Sequence, residues 1–198
     1  MAYVNRTCYT YIILNFHNYK DVIQLLLDGG SDPNKADEDG RTPLHRGALN
    51  GHKDVVQLLL DGGADPNKAD KGGWSPLHRA AQKGHKYVVK LLLERGADPN
   101  KANVYGWTPL HWPAVLGHKD VVELLLDGDA DPNRADQHGK TPLHWAVMRG
   151  HKEVVQLLLD GGADPSKADR HGKTPLYHAQ EGRGQVEIVN MLKRAIAQ

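Results

Sequence analysis

The chain has 198 residues and a net charge of +1, from 25 Lys and Arg against 24 Asp and Glu. That balance excludes a general nucleic-acid or membrane-surface binder, which needs a basic surplus. A content of 39% hydrophobic and 25% charged residues excludes global disorder. The single cysteine, Cys8, excludes an intramolecular disulfide, so the chain reads as cytoplasmic or otherwise intracellular. Apolar runs such as Ile12–Leu14 and Leu58–Leu60 fall far short of a membrane span. The N-terminus lacks the basic start, apolar stretch and small-residue site of a signal peptide.

In chain order, the N-terminal stretch comes first. It is rich in Tyr3, Tyr9, Tyr11, Ile12, Ile13 and Phe16, and it leads into a predicted helix over Asp21–Asp28. A regular unit follows. Thr42-Pro-Leu-His45 recurs as Ser75-Pro-Leu-His78, Thr108-Pro-Leu-His111, Thr141-Pro-Leu-His144 and Thr174-Pro-Leu-Tyr177, each copy 33 residues after the last. Gly51-His-Lys keeps the same step at Gly84, Gly117 and Gly150, and Gly63-Ala-Asp-Pro recurs at Gly96 and Gly162.

Each unit predicts the same elements. Thr42 is a good N-cap, and Pro43 suits the first helical position, where no N–H is needed. Leu44, Gly47 and Ala48 lie at helical spacing, so the first helix is short and packs closely. Gly51 ends it. A second helix carries Val55, Val56, Leu59 and Leu60 on one broad apolar face. Gly63 supplies a left-handed C-cap. Asp70-Lys-Gly-Gly73, with Asp first and Gly last, predicts a type I turn.

A step of 33 residues carrying Thr-Pro-Leu-His resembles the ankyrin repeat family, over about residues 8 to 198. The resemblance implies an all-α repeat solenoid: stacked helix-turn-helix units with projecting β-hairpin or turn loops, whose hairpins and first helices line a concave groove. Residues 1–198 then form one domain, with repeats at 8–40 (degenerate), 41–73, 74–106, 107–139, 140–172 and 173–198 (a C-terminal cap).

Departures from the pattern sit at particular places. The apolar first repeat is expected to pack on the second, to be the broken edge of a longer array, or to present an outer face through which the array meets another chain and dimerises. Pro113 replaces the small residue found as Gly47, Ala80, Ala146 and Ala179. It removes a helical hydrogen bond and crowds the carbonyl of Pro109, so the helix there should kink or start late. Asp129 stands where Gly63 stands and is expected in the left-handed conformation that Asp tolerates. One residue is inserted in the turn Gly182-Arg-Gly184.

Twelve histidines invite a metal-site reading. Most recur with the period, and equivalent residues of stacked helical units lie ~10 Å apart. Two such imidazoles cannot share an ion at bonds of ~2 Å, and no Cys pair accompanies them. The resemblance implies instead that the first-helix His hydrogen-bonds around the Thr-Pro turn and between repeats. Asp65-Pro-Asn-Lys-Ala-Asp70 fails as a calcium loop, because Ala69 and Pro76 hold ligand positions. No phosphate-cradling loop or Gly-x-Ser-x-Gly elbow occurs. The sequence therefore reads as non-enzymatic, with no cofactor and no metal.

Function must then come from what varies inside the frame. In this family the hairpin tip and the groove side of the first helix carry partner contacts. At those positions in repeats three to five stand Trp74, Arg79, Lys83, Tyr105, Trp107, Trp112, Leu116, Lys140, Trp145, Met148 and Arg149. All four tryptophans of the chain are among them. Over all repeats the variable positions hold nine Lys or Arg and three Asp or Glu, which predicts a basic groove on a nearly neutral protein. An apolar, aromatic centre with basic flanks suits a binding hot spot. The expected partner is a protein segment with an apolar anchor flanked by acidic residues. The alternatives are a designed or consensus-like scaffold with no natural partner, which the uneven drift between copies opposes, and a single-stranded nucleic-acid binder stacking bases on the aromatics, which the balanced charge opposes.

Overall fold

The computed structural model describes residues 19–182 and 185–197. The chain forms two compact units, Met1–Asp98 and Pro99–Gln198. The first contains α1 (Tyr19–Asp28), α2 (Pro43–Asn50), α3 (Lys53–Asp61), α4 (Pro76–Gln82) and α5 (Lys86–Glu94). The second contains α6 (His111–Leu116), α7 (Lys119–Asp127), α8 (Pro142–Arg149), α9 (Lys152–Asp160), α10 (Pro175–Glu181) and α11 (Val186–Ile196). In the first unit, α2 packs on α4 and α3, and α3 packs on α1 and α5. In the second, α8 packs on α6, α9 and α10, while α9 packs on α7 and α11.

The period explains the packing. Leu44, Leu77, Leu110 and Leu143 are fully buried, as are Val56, Val89, Val122 and Val155 on the second helices. Each recurrence places the same apolar side chain in the core of its own helix pair. Thr42, Ser75, Thr141 and Thr174 are N-caps in extended conformation, followed by proline at the start of the helix. Gly51 has φ of 73°, and a Cβ there would lie 2.6 Å from His85 Nδ1, so only glycine fits. His85 Nε2 in turn donates to the Leu49 carbonyl at 3.0 Å, which is what the Gly-His pair accomplishes.

Of the two expected forms, hairpin or turn, the projecting loops take the turn. No strand occurs among the described residues, and these loops are tight turns. Asp37 N–H donates to the Arg41 carbonyl and Gly40 N–H to the Asp37 carbonyl, at 2.9 and 3.0 Å. Within each unit, neighbouring turns share a single backbone bond, such as Gln137 N–H to the Tyr105 carbonyl at 2.9 Å. The Thr-Pro N-cap follows so soon that no ladder can extend. Repeat four starts late, as Pro113 requires: α6 begins at His111, whereas the other first helices of the Thr/Ser-Pro repeats begin at their proline. Asp129 has φ of 65°, the left-handed conformation expected of it.

Tyr3, Tyr9, Tyr11, Ile12, Ile13 and Phe16 lie outside the described residues, as do Arg183 and Gly184. Within the first repeat, Ile23 of α1 is fully buried. At the other end, α11 buries Ile188 and Leu192 and leaves Lys193 and Arg194 exposed, as a cap requires. No described helix is long and apolar enough to cross a membrane.

Candidate partner-binding site

The first-helix histidines belong to the frame. Thr42 N–H donates to His45 Nδ1 at 3.0 Å, which leaves the proton on Nε2, and Nε2 donates to the Trp74 carbonyl at 2.9 Å. His144 does the same with Thr141 N–H and the Lys173 carbonyl, at 3.1 and 3.2 Å. Burial depresses the ring pKa values here: His45 falls below its usual value, and His111 and His144 fall to about 4. These rings are neutral struts, as the resemblance implied.

Each turn is also organised by one residue at its base. Asp37, Asp70, Asp136 and Asp169 each accept backbone N–H bonds two and four residues ahead, through one carboxyl oxygen. The other oxygen takes a donor from the first helix, nine residues on. Arg46 reaches Asp37 at 2.9 Å and Arg79 reaches Asp70 at 2.6 Å. Trp145 Nε1 and His178 Nε2 reach Asp136 and Asp169, both at 3.1 Å. In repeat four the base residue is Asn103. Its Oδ1 accepts from Tyr105 and Trp107 N–H, both at 2.9 Å, which fixes Nδ2 where the other turns have an oxygen. Asn103 Nδ2 and Trp112 Nε1 are both buried donors with no partner. Sequence reasoning passes over these base residues as framework. Their signal is an Asp-Asp-Asn-Asp-Asp series at the repeat step.

The candidate residues of the first unit are tied inward. Trp74, expected exposed at a turn tip, is half-buried. It packs edge-on to His78 at 5.5 Å, under the Arg79 guanidinium at 4.9 Å. Arg79 is therefore held by Asp70 and Trp74, while Lys83 is exposed at the end of α4.

In the second unit the tryptophans come together. The Trp107 ring lies 4.9 Å from Trp112 and 5.4 Å from Trp145, tilted by 58° and 52°. His111 stacks on Trp107 at 5.5 Å. All three indoles are half-buried, so Trp107 is less exposed than its turn position suggests. On the same two turns and first helices, Val104, Tyr105, Leu116 and Met148 are 62%, 50%, 44% and 41% exposed. Arg149 is exposed at the end of α8. Lys140 is not a free flank: its ammonium pairs with buried Asp169 at 3.2 Å. Burial works to raise the Asp169 carboxyl. Hydrogen bonds from His178, the Lys173 and His171 backbone and Lys140 outweigh it and hold the pKa well below the carboxylate range.

The predicted basic groove is thus smaller than the residue count implied. Arg41, Arg46, Arg79, Lys140 and Lys173 all form ion pairs within the chain. What the second unit presents is an apolar, aromatic surface over a hydrogen-bonded frame. Among the described residues no group of three or more His, Cys, Asp or Glu could hold a metal ion.

No curated protein matches the chain. A family model of ankyrin repeats matches it in three copies, over residues 10–103, 73–136 and 128–197. Those spans cover nearly the whole chain and the helix-turn-helix units just described, and the chain belongs to the ankyrin repeat family.

Proposed function

We propose that this chain is a non-enzymatic protein-binding module whose contact surface is the aromatic face of its second unit. Ankyrin repeats are in general protein–protein interaction modules. The observation that carries the particular site is the exposure of Val104, Tyr105, Leu116 and Met148 around the three tryptophans. Clustered exposed apolar and aromatic side chains mark interaction sites, whereas scattered ones are ordinary. The partner is a protein segment with an apolar anchor. Acidic residues beside that anchor would meet Arg149. Arg79 and Lys140 serve as struts for the turns and contribute little to charge recognition.

The packing also selects the variants that test this. Trp107 and Trp112 are packed, so their removal disturbs the fold as well as the surface. Tyr105→Ala, Leu116→Ala and Met148→Ala remove exposed groups, which usually changes stability by about 0.5 kcal/mol or less each. Affinity capture from a cell extract, run with the intact chain beside this triple variant, should recover a protein with the intact chain only. Equal recovery by both would refute the site. Recovery of nucleic acid that falls steeply with salt would favour the stacking alternative instead.

A further inference from the structure

In repeats three and five, the histidine that begins the second helix covers the end of the first helix of the repeat before. A Cβ on Gly51 would lie 2.6 Å from the His85 ring, and one on Gly117 would lie 2.8 Å from the His151 ring. Each ring donates from Nε2 to the carbonyl two residues before its glycine, Leu49 or Val115, at 3.0 Å. Repeat six breaks this arrangement. One residue is inserted before α11, and the N-cap there is Gln185 instead of histidine. The Gln185 side chain turns back on Gly182, where a Cβ would meet its Nε2 at 2.7 Å. The same Nε2 lies 3.9 Å from a Cβ placed on Gly150, the nearest atom to it. Gly150 is therefore exposed, whereas Gly51 and Gly117 are half-buried.

The space left beside Gly150 is a cavity of about 470 Å³, within the size range of ligand sites. It keeps the chemistry of the missing ring. Gly150 has φ of 74°, against 73° and 76° at Gly51 and Gly117, so the Met148 carbonyl stands at the same step before it as those of Leu49 and Val115. Gln185 Oε1, at the cavity, is buried and has no partner among the described residues. Both groups are acceptors. The charges on the lining are Arg149, Lys152 and Glu187, with Lys152 and Glu187 paired at 3.2 Å. Arg149 leaves that lining net positive, which opposes a cationic guest. A flat ring bearing an N–H fits the slot as His85 and His151 fit theirs, and the lining favours its neutral form.

We propose that this cavity is a second binding site, which takes the neutral imidazole of a histidine on a partner segment. The imidazole N–H donates to the Met148 carbonyl, and a backbone N–H of the same segment pairs with Gln185 Oε1. The site uses none of the tryptophans and does not depend on the aromatic-face reading.

The test is a titration of the 15N-labelled full chain, free of any histidine tag, with a capped Ala-Ala-His-Ala-Ala peptide at pH 8. The amide signals of Gly150 and Gln185 should move saturably, while those of Gly117 and Trp107 and the four indole signals stay in place. The same peptide with phenylalanine for histidine should bind about fivefold more weakly, the worth of one hydrogen bond. Lowering the pH to 5.5 charges a histidine of ordinary pKa, about 6.5, and should weaken binding about tenfold. Gly150→Asn places a side chain in the slot, at a left-handed position that Asn tolerates. It should abolish the response with unchanged helicity. Gly162→Asn is the control: φ there is 85° and a Cβ meets nothing within 4 Å, so the same backbone change leaves binding intact. No saturable movement at Gly150 and Gln185 overturns the site, as does binding that survives Gly150→Asn or is lost in Gly162→Asn. Equal binding of the phenylalanine peptide, or unchanged binding at pH 5.5, overturns the imidazole assignment. Free imidazole binding as tightly as the peptide overturns the assignment to a histidine within a chain. Movement confined to the indole signals puts the histidine on the aromatic face and overturns this inference.

Discussion

Replacing Asn103 by aspartate should make the protein more stable, although it adds a buried charge. In the other four turns the base residue is a carboxylate whose second oxygen accepts a first-helix donor at 2.6 to 3.1 Å. Asn103 presents an N–H group there, and two buried donors, its own Nδ2 and Trp112 Nε1, go unpartnered. Each such group costs about 1–3 kcal/mol. In Asn103→Asp the new carboxylate would remove one orphan and give the other a charge-assisted acceptor. Against that stands the desolvation of a carboxylate. Asp136 shows that the fold accommodates it: three donors suffice there, two backbone N–H groups and one indole. Tyr105 N–H, Trp107 N–H and the Trp112 indole are the same three. A net gain of about 1–2 kcal/mol follows, and a Tm rise of about 2–8 °C for a chain of this size. The assay is urea unfolding of Asn103→Asp at pH 7, repeated at about pH 3. Protonation removes the advantage there, because the hydrogen bonds lower the folded pKa of the carboxyl below its unfolded value. A loss of stability above about 1 kcal/mol at pH 7 would contradict the reasoning.

Three other outcomes are expected. His111 and His144 have folded pKa values of about 4, below the unfolded value, so their contribution is fully present above about pH 6.5 and is lost as the pH falls from there toward 4. By pH 5 each should have withdrawn about 2 kcal/mol, and an unchanged urea midpoint between pH 7 and pH 5 would contradict the neutral-strut assignment. Pro113→Ala should restore a helical N–H and let α6 begin nearer Pro109; it should raise far-UV helicity and stability by about 1–3 kcal/mol, and a loss of either would show that the late start is held by other contacts. Lys140→Met should cost about 1–3 kcal/mol, because it removes the lysine from buried Asp169 and leaves it His178 and the His171 and Lys173 N–H groups; a neutral result in urea unfolding would mean that the ion pair at 3.2 Å contributes nothing net.

Much of the fold was legible because each element rests on local chemistry that repeats in phase. Thr42-Pro43 caps a helix wherever it occurs. Gly51 is required both by its φ and by the approach of His85 in the next repeat. Pro113 shortened its helix for a reason visible in one residue. The site was less legible because its meaning lies in pairs nine residues apart and in neighbouring repeats. Arg79 and Lys140 read as free basic flanks until Asp70 and Asp169 are placed beside them. Trp107 reads as an exposed turn residue until Trp112 and Trp145 close on it. A side chain's availability depends on what its neighbours have already taken, and residue type alone does not carry that.

The most direct test of the protein-binding account is photocrosslinking. A benzoylphenylalanine would replace Tyr105, Leu116 or Met148 in turn, with Tyr87 as the control, an exposed ring on the second-helix element α5. Products from a cell extract would be identified by mass spectrometry. The account predicts one protein crosslinked from all three positions of the aromatic face and not from Tyr87. Crosslinking from Tyr87 alone, or no common product at the three positions, would contradict it.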